Sequence, residues 1–124
     1  MRIDDEDRKK AVIRALADDQ SRLILISTML TSKSVLDIAR EQSIPIISAY
    51  RKVKKLKKFR LLKVDHIVLT EWGKKIELLR SAIRSASVQF ERRKLDVEVT
   101  TNVEADEKLL KRFITLKERR ERKG

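Results

Sequence analysis

The chain has 124 residues, with 31 Lys/Arg against 19 Asp/Glu, a single His, no Cys and a formal net charge of +12. A length of this order suits one domain with an extension, and 41% hydrophobic residues is too apolar for a disordered tail. Without Cys there is no disulfide framework, thiolate metal site or cysteine nucleophile, and the longest apolar run, Leu23 to Ile26, falls far short of the roughly 20 residues of a membrane span.

The polar, acidic start Met1 to Asp7 lacks the apolar core of a signal peptide, which implies a cytoplasmic protein. Helical spacing of Ala11, Ala15 and Leu16 predicts a first helix over 8–17. Asp18-Asp19 break it and can cap a second helix over about 20–30, whose apolar side holds Leu25, Ile26 and Met29. Ser34 caps a third, about 35–42, with Val35, Ile38 and Ala39 inward. Pro45 suits the first turn of a fourth helix, about 45–58, because its missing N–H costs nothing there. Ala49, Val53 and Leu56 share one face of that helix. Ile47, Ser48, Arg51, Lys54, Lys55 and Lys58 lie on the other.

Leu61 to Val64 and Ile67 to Thr70 read as two strands joined by a tight Asp65-His66 turn. Trp72, Ile76, Leu79 and Ile83 then fit the face of a fifth helix over about 71–85. Alternation of Val88 and Phe90, and of Leu95, Val97 and Val99, predicts a second hairpin with Arg92, Arg93 and Lys94 near its tip. Thr101 and Glu104 match a capping box for a last helix over about 103–120. The expected fold class is mainly α with small β. It divides into a first domain, 1–85, and a C-terminal hairpin and helix, 86–124.

The charge is unevenly placed. Residues 1–50 are neutral, whereas residues 51–75 carry ten basic side chains against Asp65 and Glu71. A concentrated basic block implies a polyanionic partner, since each neutralised phosphate releases condensed counterions. The competing reading is a solvated Lys-rich helix face.

Residues 11–75 resemble the archaeal and bacterial ArsR-type winged-helix transcription regulators. The resemblance rests on Ala15-Leu16-Ala17-Asp18 with Arg22, Leu25, Ile26 and Met29, on Asp37-Ile38-Ala39, on the stretch Ile44 to Leu56, on Leu61-Leu62, and on Leu69-Thr70 with Gly73. It implies that 1–85 is a winged helix-turn-helix DNA-binding domain with the fourth helix as recognition helix. It departs from the family at Ser43 and Arg60, where Gly is frequent. A residue with a Cβ there must avoid or tolerate a left-handed backbone. Metal-sensing members use Cys or His ligands, so metal sensing is not carried over, and no cofactor is expected.

An α-helix is about 10–12 Å across and fits a major groove about 12 Å wide. On this reading Ile47, Ser48 and Arg51 contact base edges of double-stranded DNA, while Lys54, Lys55 and Lys58 contact phosphates. Lys52 flanks that face, and Lys63 and His66 are polar candidates on the wing. The expected function is sequence-specific transcription regulation in the nucleoid. The alternatives are sequence-independent DNA coating, a protein-binding adaptor, and binding of structured RNA, whose narrow major groove disfavours helix entry. No enzyme is expected: a phosphate loop cannot be built from Gly73 and Gly124, and the single His66 sits in a predicted turn. In the last predicted helix, Leu109, Phe113 and Leu116 form one stripe and Leu110 and Ile114 another. This apolar arc suggests a homodimer, with two recognition helices on half-sites about one DNA turn apart; the alternative is a helix that only closes the monomer core.

Overall fold

In the computed structural model, which describes residues 1–102, the element order is β1 (Arg2–Ile3), α1 (Glu6–Ala17), α2 (Asp19–Ser27), α3 (Val35–Glu41), α4 (Ile46–Lys58), β2 (Leu62–Leu69), β3 (Lys75–Ser81), β4 (Ile83–Glu91) and β5 (Lys94–Thr101). The strands form two antiparallel sheets, β2–β3 and β1–β5–β4. Among the described residues, four helices beside five strands in two sheets correct the expected mainly α winged helix-turn-helix. The predicted helix over 103–120 and its residues Leu109, Leu110, Phe113, Ile114 and Leu116 lie outside the described residues.

The four helices follow local chemistry. Asp5 accepts from the Asp7 and Arg8 amides, Asp18 from the Ser21 amide and Ser34 from the Asp37 amide, so three N-termini are closed by side-chain oxygens. α4 has Pro45 as its N-cap and no side-chain cap. Two C-termini close in Schellman turns. The Ile44 amide donates to Ala39 O and the Ser43 amide to Arg40 O; likewise Leu61 donates to Leu56 O and Arg60 to Lys57 O. Both turns put a residue in the left-handed region: Ser43 has φ 54° and Arg60 φ 62°. The two departures from glycine therefore tolerate the conformation rather than avoid it. A Cβ there costs about 1 kcal/mol, partly offset by the lower chain entropy of a non-glycine unfolded state. Arg60→Gly is accordingly expected to stabilise the fold by roughly 0.5 kcal/mol, read from denaturant midpoints at equal m-values.

The predicted fifth helix is absent. Lys75 to Ser81 form β3, paired along β2 from Leu69↔Lys75 to Leu62↔Ser81. Lys33 and Leu79 exchange both backbone hydrogen bonds, 3.0 and 2.7 Å, which holds the inner end of β3 against the helices. Trp72, expected in the core, is 92% exposed in the Thr70–Lys74 turn, where Gly73 has φ 75°. Asp65-His66 is not a turn either. β2 runs straight through with a bulge between Val64 and His66, so the extra residue is absorbed within the strand. Asp65 accepts from Ser32 Oγ and lies 3.3 Å from His66 Nδ1, giving the bulge polar partners.

The second hairpin is present and longer than expected. Arg92 and Arg93, at φ 50° and 66°, make a two-residue turn of the type that matches strand twist, with Glu91 paired to Lys94. Ile3, within the polar, acidic start, is buried and pairs with Val97. A single core joins Ile3, Val12, Ile24, Ile38, Val53, Leu61, Leu79, Val97 and Val99. The position 85/86, taken from sequence as a domain boundary, lies inside β4, and the core draws on both sides of it. Asn102 fastens the end of β5. Its Nδ2 donates to Met29 O at 2.7 Å and Ser81 O at 3.0 Å. No helix among the described residues is long and apolar enough to cross a membrane.

Candidate nucleic-acid interface

α4 buries Ala49, Val53 and Leu56, half-buries Ser48, Lys52 and Lys57, and turns its remaining side chains outward. The buried stripe follows from i, i+4, i+7 spacing, and the same geometry puts Ile47, Arg51, Lys54, Lys55 and Lys58 on the exposed side. Ile47 is 79% exposed, although an isoleucine at a helix start gains nothing from solvent. Arg51, Lys54, Lys55 and Lys58 make no ion pair among the described residues; Lys58 Nζ stands 5.6 Å from the Phe59 ring centroid. Such unneutralised cations project a positive field, and their long stems reach outward from the helix.

Two of the sequence candidates on this helix hold the fold together. Ser48 Oγ donates to Gln20 Oε1 at 2.7 Å, tying α4 to α2. Lys52 Nζ donates to Asp18 Oδ2 at 2.6 Å, and Ser21 donates to the same oxygen from its hydroxyl and its amide. The Lys52 ammonium first, and the Ser21 hydroxyl second, hold the Asp18 carboxyl down to about 2 from its ordinary 3.8, against an opposing effect of partial burial. With the Asp18 side chain 36% exposed, solvent screening leaves a contribution of about 1 kcal/mol. Lys52→Met is expected to lower stability by about that amount at pH 7. A lowered folded pKa stabilises above the unfolded value and not below the folded one. The difference between variant and parent should therefore be complete above 3.8 and vanish as pH falls through about 2, as urea titrations across that range will show.

Lys57, beside this face, pairs with Glu77 Oε1 and Oε2 at 3.1 and 3.0 Å and joins α4 to β3. Lys63 and His66 are on β2, a different element. Lys63 is paired in register with Arg80, and His66 stands exposed in mid-strand beside Asp65. The structure thus unites the α4 residues Ile47, Arg51, Lys54, Lys55 and Lys58 on one surface, uses Ser48 and Lys52 internally, and separates Lys63 and His66 onto the sheet.

Sequence reasoning missed a feature beside α4. α1 packs on α2 and α2 on α4, leaving a cleft of about 470 Å³ between α1 and α4. Its α1 wall carries Lys10 and Arg14, and its α4 wall Arg51 and Lys55. Ala11, Ala15, Leu56, Phe59 and Leu61 supply its apolar surface. The signal available in sequence was the pairing of two cations, at i and i+4, with two alanines at the same spacing on α1. The neutral total of residues 1–50 concealed it.

Among the described residues no group of three His, Cys, Asp or Glu is placed to hold a metal ion. Comparison with known proteins gives no matching family model and no matching curated sequence.

Proposed function

We propose that this chain binds double-stranded DNA through the outward face of α4 and regulates transcription. The observation that carries this reading is the group Arg51, Lys54, Lys55 and Lys58, which has no acidic partner among the described residues and shares its surface with exposed Ile47. A helix of this width fits the DNA major groove. Arg51 supplies a fork that matches guanine O6 and N7, and Ile47 an apolar contact for a thymine methyl group. Lys54, Lys55 and Lys58, toward the C-terminal end, supply point charges for phosphates. Ser48, whose hydroxyl proton is already given to Gln20, contributes less to base reading than its position on the helix suggests.

The test is selection from random duplex DNA at fixed salt, with the parent, Arg51→Ala and Lys55→Ala. Enrichment of a defined sequence is expected. Arg51→Ala should relax one base position by about 1–3 kcal/mol, and Lys55→Ala should weaken all sequences alike and reduce the salt slope by about 1. Binding without enrichment would replace regulation by sequence-independent coating, since non-specific binding is electrostatic. Absence of duplex binding at low salt would overturn the proposal.

A further inference from the structure

The cleft between α1 and α4 combines features that a phosphate-contacting surface alone does not need. Its volume, about 470 Å³, falls within the range of small-molecule sites, roughly 300–1,000 Å³. It is open because α1 presents alanine at both inward positions, 11 and 15, where larger side chains would close the gap. One end is fastened by Arg8 Nε donating to Phe59 O at 3.2 Å, the other by the Lys52–Asp18–Ser21 cluster. Its walls are therefore held apart by bonds independent of any occupant.

The charge is equally specific. Lys10 and Arg14 stand one turn apart on α1, and Arg51 and Lys55 one turn apart on α4. None of the four makes an ion pair among the described residues. Of the two carboxylates in the lining, Asp18 is neutralised by Lys52 and only Asp7, at the start of α1, remains. Cations on two facing walls above an apolar surface match a ligand with an anionic group at one end and an apolar body at the other.

We propose that this cleft binds a small amphiphilic anion, an aromatic or aliphatic body bearing a phosphate or carboxylate group, and that the anion and DNA exclude each other. Exclusion follows because Arg51 and Lys55 line the cleft and also belong to the outward face of α4. An anion held between the walls draws these two side chains from the phosphates and bases they would otherwise contact. Binding of the anion stands independently of the DNA reading; the exclusion rests on it.

Calorimetric titration with 1-naphthyl phosphate and 1-naphthoate tests the site and tells which acidic group it prefers. Inorganic phosphate and neutral 1-naphthol test charge and apolar body separately. The parent should bind one equivalent of a naphthyl anion, and both partial probes should bind at least about tenfold more weakly. Lys10→Glu/Arg14→Glu should lose at least about tenfold, as should Ala11→Leu, which fills the cleft and retains every charge. Lys74→Glu/Lys75→Glu, at the β2–β3 turn, should bind within about twofold of the parent. Circular dichroism confirms that each variant is folded. Equal affinity of the parent and the Lys10→Glu/Arg14→Glu protein, or no naphthyl anion bound by the parent at about 1 mM, would overturn the site. A naphthyl anion that binds the parent without displacing a labelled duplex would overturn the exclusion. If the parent binds no duplex, the DNA reading fails and the titration still decides the cleft.

Discussion

Lys54→Glu/Lys55→Glu/Lys58→Glu is expected to weaken duplex DNA binding by on the order of a thousandfold at low salt, about 1.4 kcal/mol for each lost phosphate contact. The three side chains lie on the outward face of α4 and make no ion pair among the described residues, so their charge is available to a partner and their removal costs only the Lys58 contact with the Phe59 ring. The salt dependence gives a second, quantitative reading. Each phosphate contact contributes about −0.9 to the slope of log K against log salt, so the slope should become shallower by about 3. Glutamates near a helix C-terminus oppose the macrodipole, at a cost of some tenths of a kcal/mol each. The corresponding glutamine variant removes that cost. It should lose the same slope and somewhat less affinity, because it abolishes attraction without adding repulsion. Anisotropy titrations at four salt concentrations provide both numbers. An unchanged slope would place the DNA contacts elsewhere.

Leu79→Ala should destabilise the fold by about 3 kcal/mol and lower the melting midpoint by on the order of 15 °C. Leu79 is 1% exposed and lies at the junction of β3 with the helices. Its backbone exchanges two hydrogen bonds with Lys33, and its side chain belongs to the core that Ile24, Ile38 and Val53 share. Truncation leaves a cavity bounded by strand and helix, neither of which can shift inward without breaking backbone bonds. Ile76→Ala, on the opposite face of the same strand, should cost less than about 1.5 kcal/mol because Ile76 is only half-buried. The two variants together distinguish a strand from the helix the sequence suggested. In a helix, Ile76 and Leu79 would share one face and should cost alike.

That ambiguity shows where sequence ceases to determine structure here. Ile76, Leu79 and Ile83 satisfy a helical period, while Leu79 and Ser81 share a strand face with Glu77, and Ile76 and Leu78 take the other. Nothing local decides between them. Pairing with β2 and the bridge to Lys33, more than forty residues away, decides for the strand. The polar pair Asp65-His66 resembled a turn because a bulge and a turn use similar residues. β1 was illegible for another reason: two residues have no period, and Ile3 is buried only because β5 arrives beside it. By contrast α1 to α4 were readable from Asp18, Ser34, Pro45 and the spacing of Ala49, Val53 and Leu56, all of which act within a few residues. The second hairpin was readable from alternation alone.

The candidate interface divides in the same way. Helical geometry fixes which side chains of α4 face outward once its buried stripe is known, so Ile47, Arg51, Lys54, Lys55 and Lys58 were accessible from sequence. The internal engagement of Ser48 and Lys52 was not, because their partners, Gln20 and Asp18, approach only in the folded chain. Nor was the cleft. It requires α1 and α4, distant in sequence, to face each other across a gap kept open by alanines.

The most direct measurement of whether α4 meets DNA is amide chemical-shift mapping during titration with a duplex that the parent binds. Shifts concentrated at Ile47, Arg51, Lys54, Lys55 and Lys58, with β4 and β5 unmoved, are the result this account predicts. Shifts confined to the Arg92-Arg93 hairpin or to β2, with α4 unmoved, would contradict it.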